Sequence, residues 1–253
     1  MTKAVLSRSR GWWLADGATA MVIIVWFAAS RKLPEFVLPG PIPVAERLFA
    51  LFAEPSFLVH TLASTSRVVA SVAIALCLGG CIAVLHRRVS ALDWVIRGSV
   101  QPFLSGFPSI GWAILASLWF KVGSLSIVFV QVAILLPFCF INIAEGLRQI
   151  EPDLPEMAYS FTRKRSRVFL AISIPLLLPY LLGAVRISYG IAWKIALVSE
   201  LLGSTSGLGY LMLQAQGSAD MTTVIATCFA IVILYVAGER LVLAPLTRRY
   251  SQF

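Results

Sequence analysis

Leu125–Ala144 reads LSIVFVQVAILLPFCFINIA, 20 residues without a charge in which Ser126, Gln131 and Asn142 are the polar members. About 20 apolar residues of helix cross the hydrocarbon core of a bilayer, so this stretch alone predicts a membrane-spanning helix. Five further runs accompany it. They are Ala18–Ala29, extended upstream by Trp12, Trp13 and Leu14; Val68–Leu85; Trp94–Phe120, interrupted by Pro102 and Pro108; Ile172–Val198, with Pro175 and Pro179 near its start; and Thr222–Leu243. None alternates with a period of two, which argues against a membrane β-barrel. The chain has 253 residues, 58% hydrophobic and 13% charged, with a mean hydropathy of +0.85. Soluble domains run nearer half apolar and a quarter charged. These values exclude a disordered chain, a collagen-like fibre and an ordinary soluble enzyme. The expected fold is all-α, a polytopic bundle of six transmembrane helices forming one domain over 1–253.

Charge sets the expected orientation. With the N-terminus inside, 13 of the 21 Lys and Arg fall in inner segments, and 4 (Arg31, Lys32, Arg47, Lys121) in outer ones. Lys and Arg accumulate on the cytoplasmic side, so both termini are expected there, in a multi-pass chain of the bacterial cytoplasmic (inner) membrane. The net charge of +9 then reflects loop placement and lipid headgroups rather than nucleic acid. The first run also has the basic flank and small-residue end of a signal peptide. Trp12-Trp13 reads as an interfacial anchor, which favours an uncleaved first helix. Between runs one and two lies a Pro-rich outer segment in which Val44–Ala53 has helical apolar spacing and is expected on the membrane surface.

The sequence carries no visible catalytic engine. There is no G-x-x-x-x-G-K-[ST] phosphate loop and no H-E-x-x-H. His60 and His86 fall at opposite ends of the second run. Cys77 and Cys81 are four apart, which is ligand-like spacing, but they read as small buried hydrophobes. No metal site, no cofactor and no enzymatic activity are expected in this chain.

The informative polar stretch is the inner loop 145–171. Glu156-Met157-Ala158-Tyr159-Ser160-Phe161-Thr162 is followed, after nine residues, by Ile172-Ser173-Ile174-Pro175. This resembles the E-A-A-x-x-x-G-x9-I-x-L-P loop of permease subunits of bacterial ATP-binding-cassette importers. Leu38-Pro39-x-Pro41, Phe107-Pro108, Leu178-Pro179-Tyr180 and Ser199-Glu200-Leu201-Leu202-Gly203-Ser204-Thr205-Ser206-Gly207-Leu208-Gly209-Tyr210 look like the nitrate/sulfonate/taurine branch of those permeases. The resemblance implies a type I importer permease fold. It also implies two permease copies, two cytoplasmic ATPase subunits that hold the ATP and Mg, and an external solute-binding protein. It assigns ATPase coupling to Glu156, Ala158, Thr162, Ile172 and Pro175. Thr162 stands where the family has Gly; a β-branched residue disfavours positive φ, so the turn is expected either to use another backbone shape or to bear strain. The basic run Arg163–Arg167 reads as positive-inside charge or as an ATPase contact.

Charges inside a span are costly and are functional candidates. Arg186 and Lys194, eight apart in the fifth run, read as a positive lining for a small anion. The alternatives are a lysine snorkelling to the outer interface and an arginine tied to Glu200 or to backbone carbonyls. Gln131 and Asn142 in the fourth run read as interhelical hydrogen bonding or as path lining. Ser199–Met221 resembles the family's re-entrant outer segment. Non-helical backbone at that depth must be buried in protein or line a cavity, and Gly207 and Gly209 suit such turns. The expected function is the permease subunit of an importer for a small anionic solute such as a sulfonate, taurine or nitrate. The alternatives are a secondary transporter, which the missing internal repeat disfavours, and a membrane-embedded enzyme, which lacks paired carboxylates or a His cluster.

Overall fold

The computed structural model describes residues 2–88, 94–150, 157, 158, 160, 162 and 164–250. Side chains of 2–15, 87, 88, 97, 165, 166 and 248–250 are outside the description. All regular structure among the described residues is helical: α1 Thr2–Ser30, α2 Pro41–Ala53, α3 Pro55–Arg88, α4 Gln101–Gly106, α5 Ser109–Phe120, α6 Ser124–Gln149, α7 Ile174–Gly203, α8 Leu208–Gly217, α9 Met221–Gly238 and α10 Ala244–Tyr250. π-helical turns at Ile96–Val100, Phe169–Ser173 and Glu239–Leu243 lead into α4, α7 and α10. The chain divides into two compact units, residues 1–58 with 211–230, and residues 59–210 with 231–253.

Among the described residues four stretches are long and apolar enough to cross a membrane: Pro55–His86, Ser124–Gln149, Phe169–Gly203 and Met221–Thr247. The expected third span is not one rod. Gly98–Gly106 and Ser109–Phe120 meet at 92°. The cause is local. Pro108 disfavours helical geometry in the residue before it, and both Phe107 (φ −72°, ψ 127°) and Pro108 (φ −60°, ψ 136°) are extended. Pro137 and Pro179, by contrast, lie inside continuous helices. The first expected span lies in α1, whose apolar stretch among the fully described residues is Asp16–Ser30. Among the described residues the six expected spans therefore appear as four long helices, one bent pair and this stretch of α1.

In the larger unit α6 packs on α5 and α7. Ala83 of α3, Phe140, Ile143, Ala144 and Leu147 of α6, and Leu177 of α7 form an apolar cluster. Outward faces stay apolar: Leu58, Val59, Leu62 and Val69 of α3 are each more than half exposed, as lipid-facing positions of a membrane helix are.

The smaller unit is held by a few polar contacts. The Trp26 indole N–H donates to Pro39 O at 3.1 Å, and its ring stacks on Phe229 at 6.0 Å. The expected surface helix forms as α2, with Gly40 as N-cap and prolines in its first turn, where a missing N–H costs nothing. Arg47 of α2 donates from Nε to Thr223 Oγ1 at 2.8 Å and from Nη1 to Glu54 Oε1 at 2.6 Å.

Asp220 caps α9. Its Oδ1 accepts from Thr223 N–H at 2.9 Å and its Oδ2 from Thr223 Oγ1 at 2.6 Å. Burial alone would push this carboxyl up, but the Thr223 hydrogen bonds and the Arg47 guanidinium together hold it below the usual carboxylate range. A depressed folded pKa stabilises above the unfolded value, near 4, and that contribution is lost as pH falls through the folded value. Asp220→Ala is therefore expected to cost about 1 kcal/mol in thermal unfolding of the detergent-solubilised protein at pH 7, with the gap to wild type closing below about pH 4.

A candidate functional site around Arg67 and Glu200

Ser64 and Arg67 are three apart on α3, so they share a helix face. Glu200 lies near the C-terminal end of α7. The three converge within the larger unit. Glu200 is 1% exposed and Arg67 6%, and Arg67 Nη1 lies 2.8 Å from Glu200 Oε1. Ser64 Oγ lies 2.8 Å from both carboxylate oxygens. Ser64 Oγ also accepts from Leu208 N–H at 2.9 Å, which leaves its single proton for the carboxylate. Glu200 Oε2 accepts from Gly209 N–H at 3.0 Å, and Gly207 N–H donates to His60 Nδ1 at 3.0 Å.

Three consecutive amides, of residues 207, 208 and 209, are thus held by side chains of α3 and α7. They lie at the N-terminal edge of α8, where a helix has unsatisfied donors and partial positive charge, and the Glu200 carboxylate complements both. Arg67 gathers the remaining strands of the network. Its Nε donates to Ser124 Oγ at the start of α6 (3.1 Å), its Nη1 to Ser206 O (2.7 Å) and Ser204 Oγ (3.2 Å), and its Nη2 to Ser206 Oγ (2.7 Å).

The two glycines are demanded by this geometry. Gly207 has φ +117°, and a Cβ there would stand 2.4 Å from the Glu200 carboxyl atoms. A Cβ at Gly209 would stand 2.6 Å from Leu197 O and 2.7 Å from Glu200 Cβ.

The polar line continues along α3 within the larger unit. Ser71, one turn beyond Arg67, is 2.5 Å from Gln131 Oε1 of α6 and also hydrogen-bonds Arg67 O. Gln131 is fully buried and joins two helices. Asn142 turns to its own helix and donates to Phe138 O, so it is not part of this network. Arg186 is paired with Glu239 rather than Glu200, with Nε at 2.9 Å, and is 59% exposed. Lys194 is exposed on α7. Among the described residues no group of His, Cys, Asp and Glu could hold a metal ion.

Of the loop residues, Glu156 lies outside the described residues. Ala158 is buried. Thr162 N–H donates to Ala158 O at 3.1 Å, a helical bond, and positive φ among described non-glycine residues is confined to Lys121 and Ala219. Thr162 is thus not among the described residues with positive φ; the rest of the turn lies outside the described residues. Ile172 is half-buried in the π-helical turn before α7, and Pro175, second residue of α7, is exposed.

Arg67 and His60 went unassigned in the sequence, as did Ser64. The available signal was an arginine at the very edge of an apolar run, where a counter-charge is needed if the helix continues past it, with Glu200 as an acid available to supply it.

Residues 71–244 match the family of the binding-protein-dependent transport system inner membrane component. The chain belongs to that family. It is 26% identical over 249 residues to the taurine transport system permease protein TauC of Escherichia coli, covering 94% of this chain and 88% of that one. It is 31% identical over 221 residues to the riboflavin transport system permease protein RibX of Chloroflexus aurantiacus, covering 85% and 82%. In structure it is similar to a chain of the MetNI methionine ABC transporter, with a TM-score of 0.57 at 14% identity over 75% of this chain and 96% of that one. The resemblance to ATP-binding-cassette importer permeases, and to their taurine and sulfonate branch, is therefore borne out, as is the all-α permease fold.

In this permease the buried pair sets a clear expectation. Breaking a buried ion pair from one side leaves an uncompensated charge and costs about 3–5 kcal/mol. Arg67→Met and Glu200→Leu should each lower thermal stability in detergent by that order. The double variant should recover more than half of the loss, because no lone charge remains.

Proposed function

We propose that this subunit forms the membrane path of an ATP-driven importer for a small anionic solute of the sulfonate class, and that residues 204–210 are its outer gate. The observation that carries the gate is the hold on three successive amides, 207–209, by buried side chains of α3 and α7. A segment tied this way is a closure with discrete bonds, not a solvated tether. Leu208 is 1% exposed, which adds apolar burial to the hold. The bonds cluster on Arg67, Glu200 and Ser64, so losing any one weakens the rest, and release is cooperative. That gives two states for ATP and a binding protein to bias.

Two copies of the chain enclose the path in this reading. Two ATPase subunits dock on the loop 145–171 through Glu156, Ala158 and Thr162, with Ile172 and Pro175 leading into α7. A solute-binding protein delivers the cargo from outside. ATP and Mg belong to the ATPase, and this chain performs no hydrolysis. Both termini lie in the cytoplasm in this reading, which the asymmetry of Lys and Arg supports. The sulfonate class is supported by the taurine permease relative and by the in-span cations; uptake of riboflavin instead would reassign the cargo and leave the gate untouched.

The test uses the permease with its ATPase and binding protein in liposomes. Leu208→Cys should label slowly with a membrane-impermeant thiol reagent at rest, and the rate should change at least severalfold when ATP and binding protein are added together. Fast labelling that ignores both would remove the gate. Gly207→Val should abolish uptake of [35S]taurine while ATPase association persists; unimpaired uptake would show that the close approach to Glu200 is dispensable. For coupling, Glu156→Lys should leave the membrane level unchanged and lose ATPase association and uptake. Normal uptake at a normal level would show that the loop does not dock through this charge.

A further inference from the structure

The cations inside the helices of the larger unit differ in their neutralisation. Arg67 is paired with Glu200, and Arg186 with Glu239. Lys194 has no carboxylate within ion-pair distance among the described residues, and it is exposed. It sits nine residues before Gly203, the last residue of α7. It also lies inside Phe169–Gly203, a stretch apolar enough to span a bilayer.

α7 has a buried side and an exposed stripe. Leu177, Ala184, Ser188, Ala192, Trp193 and Ala196 are among its buried residues. Pro179, Arg186, Ile187, Lys194 and Leu202 are exposed. Ile187 and Lys194 are seven apart, so they project within about 20° of each other, roughly 10 Å apart along the axis. An unpaired ammonium within such a stretch is costly against bare hydrocarbon and is a functional candidate.

We propose that Lys194 is the residue that sets the positive potential of the path and so favours anionic over cationic solutes, while Arg186, already neutralised by Glu239, contributes little to that choice. This rests on the permease reading above. The mechanism is field selection: an unpaired charge on a low-dielectric wall raises the local concentration of anions and lowers that of cations. No bond to a particular solute is needed, so one such residue suits a class of anions.

The experiment reads the field without needing the natural solute. Ile187→Cys, 46% exposed in the starting protein, is introduced after replacing Cys77, Cys81 and Cys228 by Ser; all three are exposed, Cys77 and Cys81 against the expectation of burial. Cys139 is buried and stays, with the Ile187 parent as its control. Reaction rates of the permease–ATPase complex in liposomes are measured with an anionic sulfonate thiol reagent and a cationic trimethylammonium one, with and without ATP, at low salt. The anionic-to-cationic rate ratio should fall about fourfold on Lys194→Met, the size expected for one charge about 10 Å away in a water-like medium. It should be retained in Lys194→Arg and change little in Arg186→Met combined with Glu239→Gln. No reaction at position 187 in either condition, or a ratio that ignores Lys194, would overturn the proposal. A complex that binds its ATPase and drives uptake yet shows an unaltered ratio removes only the role of Lys194; loss of ATPase association by the parent protein removes the permease reading itself.

Discussion

Two opposite charges buried in a membrane bundle leave little choice about what surrounds them. Once Arg67 and Glu200 are both nearly inaccessible, every remaining donor and lone pair must find a partner, because water is not there to supply one. The serines and the free amides of the chain that turns back after α7 meet that demand. Ser64 and Ser124 hold the flanks, Ser204 and Ser206 close the guanidinium, and the amides of Leu208 and Gly209 close Ser64 and the carboxylate. The Gly–Leu–Gly sequence follows from this: two of the three positions have no room for a Cβ, and the middle side chain is buried.

Energetically such a pair is a poor way to gain stability, since well-packed apolar groups would serve as well or better. Its value is register. A guanidinium has a fixed planar fork of donors, so it accepts one arrangement of α3, α6 and α7 and one path for residues 204–206. A purely apolar contact at the same place would tolerate sliding. The contact of Ser71 with Gln131 extends the same constraint a turn further along α3. The two polar links together fix both the rotation and the height of α3 against α6, with the Phe140–Leu147 cluster supplying the non-directional remainder.

What was legible in the sequence follows the physics of each feature. Long apolar runs announce themselves, and the helices α3, α6, α7 and α9 each contain most of one. The family was readable from a spaced motif and from the stretch Ser199–Tyr210. The bend at Phe107-Pro108 was only half visible: a proline marks a break but not its angle, and Pro137 and Pro179, inside continuous helices, show that the residue type alone does not decide. Gln131 and Asn142 share a helix face in the sequence, yet one bonds across to α3 and the other to its own backbone. That difference depends on which helix stands opposite, which no single run encodes. Arg67 was obscured for the same reason. An arginine near the edge of a run is compatible with snorkelling, and only the approach of α7 turns it into the centre of a network.

The two ion pairs among the described residues of the larger unit also separate two kinds of constraint. Arg67–Glu200 is enclosed on all sides by its own unit, so it is complete as it stands. Arg186–Glu239 is not: Arg186 is 59% exposed and Glu239 21%, although both lie in stretches apolar enough to span a bilayer. Coulomb attraction lowers the cost of placing the pair there but does not remove the need for further donors and acceptors around a guanidinium. Lipid tails offer none. The exposed face of α7 is therefore a surface whose proper neighbour is water or another protein, and the chain's membership of a family of multi-component transport systems supplies a setting in which such a neighbour exists. Burial, rather than charge, distinguishes the ion pair that fixes the fold from the one that marks an open face.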